Sequence, residues 1–204
     1  GLLKLTMRTG FLKSCRAHVG CEFFVCEDRL DRSKKDDGYQ IVILAKTKKG
    51  YHNLAKLSSE GMLNGFYYVP RIDRAFLLEN KEDLIVLSGG LRGEIQHLYL
   101  NVGEVQAREA LEWWQDQFGE DFYLELNRHG LDEEDHVNLQ LLKYAKEYGI
   151  KYIAANNTFY LTQENAEAHD ILLCVKEARL YFSRCNPRRL TRRLRTSASS
   201  RATV

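Results

Sequence analysis

The chain has 204 residues, 44% hydrophobic and 28% charged, a size and balance that suit one globular domain with a sizeable core. No stretch approaches the roughly 20 consecutive apolar residues of a membrane helix. The opening Gly1–Gly10 has no apolar run with a cleavage site either, so the expected location is cytoplasmic. The net charge of +2 hides an asymmetry: residues 178–204 hold eight arginines and no lysine or acid, which leaves −6 on residues 1–177 and argues against a body that itself binds nucleic acid.

In chain order, Cys21–Val25 and Tyr39–Ala45 read as strands. Lys49–Asn64 has helical spacing, with Leu54, Leu57 and Met62 on related faces. Asp83–Leu87 is a short apolar strand, and Val102–Phe118 a helix with Val105, Ala110, Leu111, Trp114 and Phe118 near one stripe. Phe122–Leu126 is a strand. Glu133–Tyr148 is a helix with Val137, Leu141, Leu142 and Ala145 inward and Gly149 as its C-cap. Tyr152–Ala155 is a strand and Gln163–Lys176 the last helix. Continuous apolar strands separated by helices predict parallel strands covered by helices, an α/β domain either open or closed into a barrel.

Two stretches stand apart. Residues 1–19 form an atypical lead-in. Residues 178–204 are expected to be disordered, because they have little apolar surface to offset ordering entropy. The abrupt charge shift after Glu177 suggests a non-native run, and a basic arm is the functional alternative.

The five cysteines, at 15, 21, 26, 174 and 185, are odd in number and come without a secretory context, which argues against a disulfide framework. Cys21 and Cys26 have a zinc-like spacing but no second Cys/His pair, and they read as buried and reduced.

Ligands of parallel α/β folds gather at the carboxyl ends of strands. Those ends carry Glu27 and Asp28, then Ser88–Gly93, then Asn127–Gly130, then Asn156–Tyr160. The Gly89–Gly93 loop either cradles a phosphate or makes a tight turn with positive φ, and it lacks the Lys-Ser/Thr ending of a P-loop. His129 lies at a strand end and Glu22 inside the first strand. One His and one Glu do not hold a metal alone, and no Ser-His-Asp or Cys-His order is present.

Seven motifs then appear in register: Gly20-Cys-Glu-Phe-Phe24, Leu44-Ala-Lys46 with Gly50-Tyr-His-Asn-Leu54, Gly65-Phe-Tyr-Tyr-Val-Pro-Arg71, Leu87-Ser-Gly-Gly-Leu-Arg-Gly-Glu94, Phe118-Gly-Glu-Asp-Phe-Tyr-Leu-Glu125, Arg128-His-Gly130 and Ala166-Glu-Ala-His-Asp170. Over residues 20–177 this series resembles the PHP (polymerase and histidinol phosphatase) domain of the alpha subunit of bacterial DNA polymerase III. The resemblance implies a distorted seven-stranded β/α barrel, here incomplete at both ends. It implies a much longer parent chain, a DNA-directed DNA polymerase (a nucleotidyltransferase) that uses Mg2+ and acts in DNA replication. The parent's partners would be the proofreading exonuclease subunit, other holoenzyme subunits, and DNA bound through a polymerase core absent from this sequence.

Family members with an intact PHP site bind a metal cluster that supports phosphoester hydrolysis. Carried over by motif, Glu22 and His129 are kept. A usual Cys is Gly90 here, and a usual Asp-x-His pair is Asn157 and Phe159. Glycine and phenylalanine cannot ligate, and a neutral Asn replaces a carboxylate poorly. The resemblance therefore implies a scaffold with a vestigial metal site, no tightly bound cofactor and no polymerase active site of its own. The alternative is a metal-dependent phosphoesterase or proofreading nuclease, in which Glu125 or Asp28 substitutes as a ligand. Phe159 is expected to fill the lost site with its ring.

Overall fold

A computed structural model describes residues 19–176. The chain runs β1 (Gly20–Cys26), β2 (Tyr39–Ala45), α1 (Lys48–Leu63), β3 (Arg71–Asp73), α2 (Arg74–Glu79), β4 (Leu84–Leu87), α3 (Glu94–Asn101), α4 (Glu104–Phe118), β5 (Phe122–Asn127), α5 (Asp132–Tyr148), β6 (Lys151–Ala155) and α6 (Ala166–Lys176). The expectations for residues 1–18 and 177–204 lie outside the described residues.

The six strands form one sheet in the order β3-β1-β2-β4-β5-β6. Five point the same way, and β2 runs against both its neighbours, β1 and β4. An all-parallel reading is thus corrected at one strand. A parallel return needs a crossover that packs back on the sheet, usually a helix with an apolar face. Residues 27–38 instead read Glu-Asp-Arg-Leu-Asp-Arg-Ser-Lys-Lys-Asp-Asp-Gly, with Leu30 alone apolar, so the chain comes back as a wide hairpin. The sheet is open among the described residues, with β3 and β6 at its edges.

One sheet face is apolar and packed. Cys21, Phe23, Val25, Ile41, Ile43, Val86, Phe122 and Leu124 meet Leu54 and Leu57 of α1, Ile95 of α3, Leu111 and Trp114 of α4, and Val137, Leu141 and Tyr144 of α5. Fully burying a Leu or Ile stabilises by roughly 1.5–3 kcal/mol, and Ile43, Leu54, Leu57 and Leu124 are all at 0% exposure. Trp114 stacks on Phe118 and Phe122, and its Nε1 donates to Glu94 Oε2 at 2.8 Å. Because strand side chains alternate in direction, the other face carries Glu22, Gln40, Val42, Leu87, Glu125 and Asn127.

Local signals place the helices. Thr47 Oγ1 accepts from the amides of Lys49 and Gly50 and starts α1, and Asp73 Oδ1 accepts from Phe76 to start α2. Gly149 at φ +68° ends α5. The apolar run expected as one helix from Val102 is preceded by a separate short helix, α3, and α4 begins only after Gly103. Leu142, expected inward, is exposed, and so are Met62 and Val105 of the expected helix stripes. No helix among the described residues is long and apolar enough to cross a membrane.

Arg71 fixes the hairpin. Its guanidinium is 1% exposed and donates to four carbonyls: Nε to Gly65, Nη1 to Asp36, and Nη2 to Arg29 and Asp31. Arg71→Met keeps the apolar stem but strands those carbonyls. It should cost roughly 3–5 kcal/mol, read by urea denaturation, and should speed amide exchange across residues 27–38. Stability within about 0.5 kcal/mol of the parent would refute the pinning role.

Candidate functional site

The carboxyl ends of β1, β4, β5 and β6 share one rim, and because β2 is reversed its first residues join them. Gln40 therefore stands at the rim beside Glu22, and its Nε2 donates to Glu22 Oε1. Glu22 projects from the sheet face opposite the apolar core and is exposed. It lies three strands from β5 in sheet order, yet its charge reaches Glu125 across the curved face.

The turn after β4 is a structural device. Gly89 has φ +77°, and Gln96 Nε2 donates to Ser88 Oγ at 2.8 Å and to Gly89 O at 2.6 Å. Ser88 Oγ also accepts from Glu125 N at 3.0 Å, which locks the β4 turn to β5. The helix that follows opens with Glu94, whose carboxylate is held by Arg74 at 2.7 Å and by Trp114. Gly89 supplies the positive φ that the tight-turn reading calls for, and Glu94 already occupies the favourable end of the helix dipole.

Glu125 and Asn127 alternate with Leu124 and Leu126, so both face the rim side while the leucines face the core. Glu125 is 6% and Asn127 4% exposed, and Asn127 Nδ2 donates to Glu125 Oε1 at 3.0 Å. Glu125 Oε2 and Asn127 Oδ1 are buried without a partner among the described residues. Burial pushes the Glu125 carboxyl above the ordinary glutamate value, and the Glu22 charge adds to this, while Asn127 and His129 oppose it. A side chain at Gly90 would point straight at this pair: a Cβ there stands 3.0 Å from Asn127 Nδ2.

His129 caps the rim beyond Asn127. Its Nδ1 lies 2.6 Å from Glu134 Oε1, its backbone amide donates to Glu134 Oε2 at 2.6 Å, and the Asn157 amide donates to its Nε2 at 3.2 Å. An amide can only donate, so Nε2 is the acceptor and the ring proton sits on Nδ1, facing the carboxylate. The histidine thus bonds a carboxylate, and both ring nitrogens are engaged.

Of the residues singled out by sequence, His129 and Asn157 are in contact, Gly90 adjoins Asn127, and Glu22 shares the same face. Phe159 is a correction: it is 71% exposed and stacks on His169 at 5.2 Å, so its ring does not fill the site. Asp28 lines a separate 260 Å³ cavity with Glu27, Asp31, Lys34, Asp36 and Arg71 in the β1–β2 loop. Sequence reasoning missed Gln40, Gln96 and Glu134, whereas Ser88 and Asn127 fall within the strand-end loops it marked. The period-two alternation of Glu125 and Asn127 was the one available signal, while Glu134 was hidden in the acidic start of α5.

Cys21 and Cys26 are five residues apart on one strand and so point to opposite faces. Cys26 Sγ donates to Ile72 O at 3.3 Å, and burial pushes its thiol up to about 11; burial also raises Cys21. Both are free and buried, as expected. Among the described residues no cluster of three His, Cys, Asp or Glu side chains could hold a metal ion.

Helices on one face of a mostly parallel sheet, and polar residues gathered at its carboxyl rim, define the class: the chain belongs to the PHP domain family, whose model matches residues 6–129. Among curated proteins it is 40% identical over 161 residues to "DNA polymerase III subunit alpha" of Borreliella burgdorferi, covering 77% of this chain and 14% of the relative. It is 38% identical over 190 residues to the protein of that name from Treponema pallidum (88% and 16%), and 39% over 167 residues to that of Thermus aquaticus (78% and 13%). The chain therefore spans about one seventh of the length of these relatives.

Glu125→Gln tests the electrostatics. A carboxyl whose folded pKa is raised keeps its proton in the folded state, so ionising it costs stability as pH rises from the ordinary glutamate range through the raised value. Thermal denaturation of both proteins should nearly coincide at about pH 4. The Gln variant should gain relative stability steadily towards neutral pH. A constant offset across that window would contradict the assignment.

Proposed function

We propose that this chain is part of the alpha subunit of a bacterial DNA polymerase III and that its PHP segment is a scaffold with a degenerate metal site. The parent would be a cytoplasmic DNA-directed DNA polymerase, with Mg2+ and DNA held by a core outside this sequence. The scaffold would offer a docking surface to the proofreading exonuclease subunit and other holoenzyme subunits. The identity with alpha subunits over most of this chain supports the placement.

One observation carries the scaffold reading. His129 spends Nδ1 on Glu134 and Nε2 on the Asn157 amide, so its coordinating lone pair is already committed. Glu22 is braced by Gln40, and Gly90 and Phe159 offer no donor atom. A cation drawn here would take most of its coordination from water, and tight selective binding needs more protein ligands than that.

Zinc or manganese titration calorimetry on protein purified without chelator should show no stoichiometric site at micromolar affinity. Stoichiometric binding lost in His129→Ala would overturn the scaffold reading and favour a PHP phosphoesterase. The same preparation should not extend a DNA primer with deoxynucleotides and magnesium; extension by this chain would place a polymerase site within it.

A further inference from the structure

Among the described residues, the helix α6 carries an unpartnered apolar face. Cys174 is buried, but Ile171, Leu172 and Val175 are 47%, 63% and 74% exposed. The segment leading into α6 adds Leu161 at 96% and Phe159 at 71%. An apolar group of this size on one short helix marks a surface that something covers.

Acidic residues accompany that surface. The first turn of α5 reads Asp132-Glu-Glu-Asp135, and Glu164, Glu167 and Asp170 lie on the 3-10 turn and helix that follow β6. Neither Asp132–Asp135 nor Gln163–Asp170 contains a Lys or Arg. The two are joined by contacts: Glu134 holds His129, His129 accepts from Asn157, and Phe159 and Tyr160 stack on His169 of α6. Acidic residues thus lie on the elements on either side of the chain of contacts that leads to the apolar group, with Glu134 itself buried against His129.

The chemistry that fits is a basic segment with spaced apolar anchors. Such a segment begins just beyond α6. Residues 188–195 read Arg-Arg-Leu-Thr-Arg-Arg-Leu-Arg, five arginines with Leu190 and Leu194 four apart, preceded by Pro187. The twelve steps from Lys176 to Arg188 span up to about 40 Å, whereas the 11 residues of α6 cover only about 16 Å. The tail is long enough to turn back along the helix it follows. The body carries −6 and residues 178–204 carry +8, so the attraction has the right sign at both ends.

We propose that residues 188–195 of this chain dock on the α6 face, with Leu190 and Leu194 against Ile171, Leu172 and Val175 and the arginines facing the acidic first turn of α5. Composition alone gives this tail no reason to order. The exposed face and these acidic residues supply the apolar surface and counter-charge that the tail lacks by itself. The proposal does not depend on the polymerase reading.

Limited trypsin digestion of the full chain tests it, because cleavage after Arg188–Arg195 reports how often the segment is released. Cleavage in the native chain should be about tenfold slower than in Glu133→Lys/Glu167→Lys and should accelerate in high salt. Leu190→Ser/Leu194→Ser, which leaves residues 1–176 untouched, should lose the protection equally. A photo-crosslinker at position 190 should mark α6 of the same chain. Equal cleavage rates in the native chain and the serine variant would overturn the proposal. So would crosslinks only between different chains, or protection that arises only when a duplex oligonucleotide is added.

Discussion

A single buried guanidinium organises the rim. Arg71 has no carboxylate within ion-pair distance among the described residues and spends its donors on four backbone carbonyls drawn from residues 29–36 and from Gly65. A buried charge is tolerated only when its hydrogen bonds are made, so the β1–β2 loop has one favourable path around it. That path returns the chain as a reversed strand. Reversal brings Gln40 to the rim, where its side chain braces Glu22 and its amide donates to Arg92 O in the turn after β4. The turn in turn holds β5 through Ser88 Oγ. Packing on one sheet face and polar order on the other both follow from where this hairpin goes.

The rim that results is polar and well connected, and its connections run inward. Ser88, Gln96, Glu125 and Asn127 bond chiefly to one another, and His129 is bonded at both ring nitrogens by its own neighbours. A site prepared for catalysis leaves donors and acceptors aimed at a substrate or ion. Among the described residues, three buried oxygens of this network, Gln96 Oε1, Glu125 Oε2 and Asn127 Oδ1, remain unpartnered, and burial favours the protonated form of Glu125. The arrangement supports the proposed scaffold role, and the chain spans about one seventh of the length of the alpha subunits it matches.

Much of the fold was legible because its signals are local. Gly149 closes α5, and the apolar stripes of α1, α4 and α5, apart from Met62, Val105 and Leu142, and the continuous strands β4 and β5 stand where pattern places them. The direction of β2 was not legible from the strand itself, since a strand pattern carries no sense; the information lay in the loop, whose lack of an apolar face forbids a crossover helix. The site was partly legible. Motif placed Glu22, Gly90, His129 and Asn157 on one rim, but not Phe159, whose ring found His169 instead. Partners separated by register, such as Gln40 for Glu22, became visible only when the hairpin was known.

The ring nitrogens of His129 offer the most direct measurement of the account's central claim, that the surviving ligand is committed within the protein. Long-range nitrogen–proton NMR correlation identifies which nitrogen carries the proton and whether the other binds a metal. The account predicts a proton on Nδ1 and an unprotonated Nε2 whose shift is unchanged when one equivalent of zinc is added. A zinc-induced shift of Nε2 towards a metal-bound value, with loss of the Asn157 amide's hydrogen bond, would contradict it.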